Sequence, residues 1–119
     1  MIRVEVPGRP PNANALHRMG HWAVTRSREV WKARTVEAID YDGPPMEHAA
    51  VAVTWVCRTR QRRDWDNLVS GLKPILDGLV AAGVLVDDDT AHLVQLGPFA
   101  VEQGRDAVVL TITDLADVR

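Results

Sequence analysis

The sequence holds a single cysteine, Cys57, in 119 residues, so no disulfide can form within the chain. The apolar run Thr54-Trp55-Val56-Cys57 marks it as a buried, inert thiol. No CxxC and no Cys/His zinc spacing occurs. No apolar run approaches the ~20 residues of a membrane span, and the first residues show no signal-peptide pattern. The expected compartment is therefore a reducing cytoplasm. HExxH, P-loop and GxGxxG motifs are absent, as is any Ser/His/Asp order. These absences remove the common zinc-peptidase, nucleotide-binding and serine-hydrolase readings.

What is present is globular: 46% hydrophobic and 25% charged residues. A chain of this length is expected to form one domain, 1–119, with a core that needs no disulfide or structural metal. The net charge of −2 conceals an asymmetry. Residues 1–63 carry 11 Lys/Arg against 6 Asp/Glu, whereas residues 64–119 carry 3 against 10. A basic half suits a phosphate backbone and an acidic half suits a metal ion; uneven placement is also common in any short chain.

Ile2-Arg3-Val4-Glu5-Val6 alternates as a strand and ends at Pro7-Gly8. Residues 7–25 hold three prolines, two asparagines and two glycines, which predicts a long loop. With Arg9, His17, Arg18 and His21, that loop is a candidate substrate-contact arm. A helix is expected from Thr25 or Ser27 to about Asp40, with Trp31 and Ala38 seven apart and Val30, Val36 and Ile39 widening the apolar face. Arg26, Arg28, Lys32 and Arg34 load its first half, against the helix dipole. Residues 49–58 read as a β-branched strand followed by Arg58, Arg60, Arg62 and Arg63; if the strand persists to 62, three of these arginines share a face. A second helix is expected over about 67–82, stopped by Gly83. Val84-Leu85-Val86 then pairs briefly, and 92–101 and 107–113 form two strands joined by a hairpin at Gln103-Gly104-Arg105-Asp106. The expected fold is α+β: a mixed sheet of about four to five strands with two main helices, in the order β-α-β-α-β-β. Trp22, Trp31, Trp55 and Trp65 are all expected in core or interface, with Trp22 the best candidate among them for base stacking.

Asp64-Trp65-Asp66-Asn67, Lys73 and Asp87-Asp88-Asp89 concentrate acids around one lysine. Crowded carboxylates repel unless a cation joins them, and hard oxygen ligands beside a lysine point to Mg²⁺ or Mn²⁺ handling a phosphate. On a continuous helix Asp66, Ser70, Lys73 and Asp77 share one stripe, opposite Leu68, Leu72, Ile75, Leu76 and Leu79. Asp66 and Lys73 would stand about 10 Å apart along the axis and Asp77 about 16 Å from Asp66. Asp77 therefore reads as an i,i+4 partner of Lys73 and not as a ligand. Pro74 either bends this helix or begins a second segment. Each feature has an ordinary alternative: Asp64 or Asp66 as a cap, the triple aspartate as a solvated turn, Lys73 as a surface lysine.

Taken together, Arg63-Asp64-Trp65-Asp66-Asn67-Leu68, Leu72-Lys73-Pro74-Ile75-Leu76-Asp77-Gly78-Leu79 and Gly83-Val84-Leu85-Val86-Asp87-Asp88-Asp89 resemble the RusA family of Holliday-junction resolvases. Pro10-Pro11-Asn12-Ala13-Asn14, with Arg18, is similar to that family's N-terminal segment. The resemblance implies a small homodimeric endonuclease that uses Mg²⁺ or Mn²⁺ to cut branched DNA. It implies Asp64, Asp66 and Asp88 as essential acids, with Asp87 and Asp89 as further possibilities at the third position. Lys73 matches the essential lysine if the helix carries an extra turn; the lysine of shorter members would align with Ser70, yet Lys73 precedes Asp77 by four as in the family pattern. Arg18, Arg26, Arg28, Arg60, Arg62 and Asn67 are candidates for contact with DNA, with no membrane partner. Such compact resolvases often occur in phages, which suggests a phage-encoded protein acting in the host cytoplasm.

Overall fold

A computed structural model describes residues 1–117. The elements are β1 (Ile2–Pro7), α1 (Ala13–His17), α2 (His21–Ala38), β2 (Ala49–Cys57), α3 (Trp65–Ser70), α4 (Lys73–Ala81), β3 (Leu93–Gln103) and β4 (Ala107–Asp114), with a 3₁₀ turn at Leu115–Asp117. The fold is α+β with a mixed sheet of four strands in the order β1-β4-β2-β3. β4 runs antiparallel to both β1 and β2, whereas β3 runs parallel to β2.

Alternation builds the core. Val4 and Val6 of β1 face Leu110 and Val108 of β4. These in turn face Val53 and Trp55 of β2, and Val51 faces Ile112. All eight are buried, so one face of the sheet is a continuous apolar surface. Leu72, Ile75, Leu76 and Leu79 cover it from the helical layer, the stripe expected from their spacing. α2 lies against α4, and their backbones approach closely where Gly78 meets Thr35: a Cβ on Gly78 would stand 2.6 Å from the Thr35 Cβ.

Several boundaries differ from the sequence expectation. The loop over 7–25 contains α1, which Asn12 caps by accepting from the Ala15 N–H at 2.9 Å. α2 begins at His21 and not at Thr25 or Ser27, because Gly20 takes the cap position and its carbonyl accepts from Val24 N–H. Within α2 only Trp31 and Thr35 are fully buried; Val30 and Val36 face solvent. The second helix breaks at Gly71-Leu72, and Lys73-Pro74 opens α4, where the missing N–H of Pro74 leaves no bond unmade. Gly83, at φ 78°, ends α4: Gly83 N–H bonds Val80 O and Val84 N–H bonds Leu79 O, a Schellman closure. Leu85 forms only a single bridge to Met46, so no fifth strand exists in the described sheet.

The larger correction concerns residues 103–106. They do not close a hairpin, because β2 lies between β3 and β4. The turn straddles the end of β2: Gly104 N–H donates to Cys57 O at 2.9 Å, and Arg58 N–H donates to the Asp106 carboxylate at 2.8 Å. Those two bonds end β2 at Cys57, so Arg58, Arg60 and Arg62 do not lie on a continued strand. Among the described residues no helix is long and apolar enough to cross a membrane.

Candidate active site

Lys73 is the first residue of α4, and the chain beyond Gly83 brings the aspartate turn back to it. The Lys73 ammonium lies 2.9 Å from Asp88 Oδ2 and 3.0 Å from Asp77 Oδ1. The Asp77 contact is the i,i+4 pair expected from spacing. The Asp88 contact joins residues 15 apart and selects Asp88 from the three aspartates as the lysine's partner. Its neighbours have other duties. Asp87 Oδ1 accepts the Asp88 N–H at 2.7 Å. Asp89 Oδ1 accepts from the N–H groups of Ala91 and His92 and lies 2.7 Å from His92 Nδ1, so it shapes the turn leading into β3.

The electrostatics follow these bonds. The Lys73 hydrogen bond holds the Asp88 carboxyl below its ordinary range, and Asp88, then Asp77, raise the Lys73 ammonium above its own. Lys73 is thus held protonated and Asp88 ionised. Asp89 is also lowered, chiefly by His92.

Asp64 stands at the N-cap of α3 and Asp66 in its first turn. The Asp64 side chain makes no capping bond, so the ordinary explanation for this acid does not account for its oxygens. Both acids are exposed. Between them Trp65 tilts against Trp55 and Phe99, with ring centroids 6.1 and 6.2 Å away, and pins the start of α3 to the sheet. No ion pair or hydrogen bond joins Lys73 to Asp64 or Asp66 among the described residues. The helix break at Gly71-Leu72 ends the single stripe on which Asp66 and Lys73 were expected.

Ser70, the other position considered for the lysine, makes two structural hydrogen bonds. Its hydroxyl accepts from Ala13 N–H at 3.0 Å and donates to Asn67 O at 2.8 Å. It thereby ties α1 to the α3–α4 junction. Pro11, Leu16, Ser27, Arg28, Ser70, Lys73 and Pro74 line a small cleft there, which brings Arg28 to the same surface as Lys73. His17 lines the adjoining cleft, again with Arg28 and Ser70. The remaining candidates are more dispersed. Arg18 and Arg26 are exposed near the start of α2. Arg60 Nε donates to Gln103 Oε1 at 2.6 Å, and Arg62 is exposed on the segment after β2. Asn67 is half-buried. Sequence reasoning missed the linking role of Ser70 because it missed α1; Asn12 ahead of Ala-Asn-Ala-Leu was the available cap signal. A larger cavity of about 540 Å³, between β1 and the end of α2, contains none of these residues.

Carboxylate oxygens such as those of Asp64, which make no capping bond, have the right chemistry for a hard divalent cation. They are not assembled in advance: among the described residues no three His, Cys, Asp or Glu side chains form a group that could hold a metal ion. The site thus defines a class, a small α+β domain presenting a lysine–aspartate pair beside an arginine-lined cleft. Comparison with protein-family models gives no match, and no curated protein matches the sequence.

Proposed function

We propose that this chain is a metal-dependent endodeoxyribonuclease of the RusA type. In this reading it resolves four-way junctions and related branched DNA by paired phosphodiester hydrolysis. The observation that carries the proposal is the Lys73–Asp88 contact at 2.9 Å, which unites two separate segments of the motif at the mouth of a cleft that Arg28 also lines. Asp64, Asp66 and Asp88, with Asp87 adjacent, are the residues that would hold Mg²⁺ or Mn²⁺. Bound there, the ion would polarise the scissile phosphate and lower the pKa of an attacking water. Lys73, protonated and fixed by two carboxylates, serves as an electrostatic stabiliser of the phosphate's growing charge, not as a base. Arg28 anchors a neighbouring backbone phosphate. A homodimer would present two such sites to a two-fold symmetric junction.

The test is cleavage of a synthetic four-way junction with and without Mg²⁺ or Mn²⁺. Paired nicks are expected, and Asp66→Asn should abolish cutting while preserving binding. Junctions left uncut across a range of both metals refute the proposal. The rival reading is junction binding without cleavage; the exposed Asp64 and Asp66 and the intact Lys73 argue against it. In the same assay it gives retained binding and no nicks under any metal.

A further inference from the structure

Trp22 is 79% exposed, whereas Trp31 and Trp55 are buried and Trp65 packs on two aromatic rings. Nothing in the core requires it. It sits in the first turn of α2, where the His21 ring meets it edge-on at 5.8 Å. Arg26 follows one helical turn later on the same side. Beside it, Met19, Ala23, Arg26, Ser27, Val30 and Trp31 line a shallow cleft of about 320 Å³. Arg18 and Arg26 are exposed and have no ion-pair partner among the described residues. The patch therefore combines a flat aromatic face, an apolar floor and a cationic rim.

An indole left in water forgoes the stabilisation that burial of so large an apolar surface supplies. An occupant must offer a flat apolar face together with negative charge. A nucleobase on its phosphodiester backbone has both, and stacking on an exposed aromatic ring beside arginines is how proteins hold unpaired bases. A second copy packing this patch on its own equivalent would bring Arg26 against Arg26, a like-charged contact that disfavours a two-fold occupant.

We propose that Trp22, with Arg26 one helical turn along α2, is a stacking site for an unpaired nucleobase, so that the protein reads the opened bases of a branch point. The proposal rests on the nucleic-acid reading above and adds the feature of the DNA that is recognised. It is tested in EDTA, which separates binding from hydrolysis. Binding of a four-way junction and of a fully paired duplex of equal length is measured for the wild type, Trp22→Ala and Trp22→Phe. Trp22→Ala should weaken junction binding by about 5- to 160-fold, the loss of one stacked base, and leave duplex binding within about twofold. Trp22→Phe should recover most of the affinity. Junction binding should quench tryptophan emission in the wild type, and that quench should be clearly smaller in Trp22→Phe, where of the tryptophans only Trp65 remains exposed. Junction binding by Trp22→Ala at wild-type affinity overturns the stacking site and leaves the nuclease proposal standing. Absence of any DNA binding by the wild type, in EDTA and with Ca²⁺ in its place alike, overturns both. If sedimentation shows instead that Trp22→Ala breaks a dimer while junction affinity is unchanged, the patch is a self-association surface and the stacking site is refuted.

Discussion

Replacing Lys73 by Met separates the chemical from the structural value of the lysine–aspartate pair. The substitution keeps an unbranched apolar stem and removes the charge. The lysine side chain is 63% exposed and Asp88 is 16% exposed, so the contacts belong to a partly solvated surface. Each such pair contributes ~0.2–1 kcal/mol. Removing the ammonium also leaves Asp77 and Asp88 facing one another, a repulsion of no more than about 1 kcal/mol in water. The total loss is ~1–2 kcal/mol, which lowers the melting temperature of a domain this size by roughly 3–10 °C. If Lys73 stabilises the transition state, junction cleavage should fall by about 10²-fold or more, as when a preorganised charge donor is deleted. Thermal unfolding followed by circular dichroism, alongside single-turnover cleavage, reads both quantities from one variant. A melting temperature tens of degrees lower would show that the pair is structural. Cleavage at the wild-type rate would refute the role given to Lys73.

The remaining predictions follow from individual contacts. Gly78→Ala should destabilise by about 1–2 kcal/mol in urea denaturation: overpacking against Thr35 outweighs the ~1 kcal/mol gain in helix propensity. Thr35 is buried and its hydroxyl donates to Trp31 O at 2.8 Å, so it has little room to yield; unchanged or higher stability would sink the close-approach argument. Ser70→Ala should cost ~1 kcal/mol and speed amide exchange at Ala13, whose N–H loses its acceptor, while β2 amides stay protected. Unchanged exchange at Ala13 would mean that Ser70 does not hold α1. The stability difference between wild type and Lys73→Met should be constant through neutral pH. The depressed Asp88 contributes fully above its unfolded value of 3.8 and loses that contribution as pH falls through its lower folded value. The raised Lys73 contributes fully below 10.5 and loses that contribution as pH rises through its higher folded value. Denaturation midpoints across pH that show no convergence of the two proteins at either extreme would refute the pairing.

β1, β2 and β4 were legible because they alternate with a period of two over a half-buried face; Val51, Val53 and Trp55 alone define which face of β2 is inside. Gly83 and the apolar stripe of α4 were equally plain. Sheet order was not legible. A four-residue turn with Gly104 has the signature of a hairpin, yet it also spans the roughly 10 Å across one intervening strand. The bonds that decide between these outcomes, to Cys57 O and Arg58 N, come from residues nearly fifty positions away. The helix break had the same character: Pro74 permits both a bend and a new start, and burial of Leu72 and Ile75 on the sheet accompanies the second outcome. In the candidate site, local spacing gave the Lys73–Asp77 pair. The partnership with Asp88 depends on how the chain turns at Gly83, and sequence narrowed it only to three adjacent aspartates.

The place of β4 also governs how the domain can be made. Among the described strands it is the last to leave the ribosome, and among them it alone pairs with β1, the first. A nascent chain that has not yet released residues 107–114 holds Val4 and Val6 with no strand to pair with, and β2 with one edge open. The long-range pairings that close the sheet therefore form together and late, as expected for a domain rich in contacts distant in sequence. Synthesis that stops before residue 107 yields no smaller version of this sheet: β1 stays unpaired and only β2 and β3 remain joined.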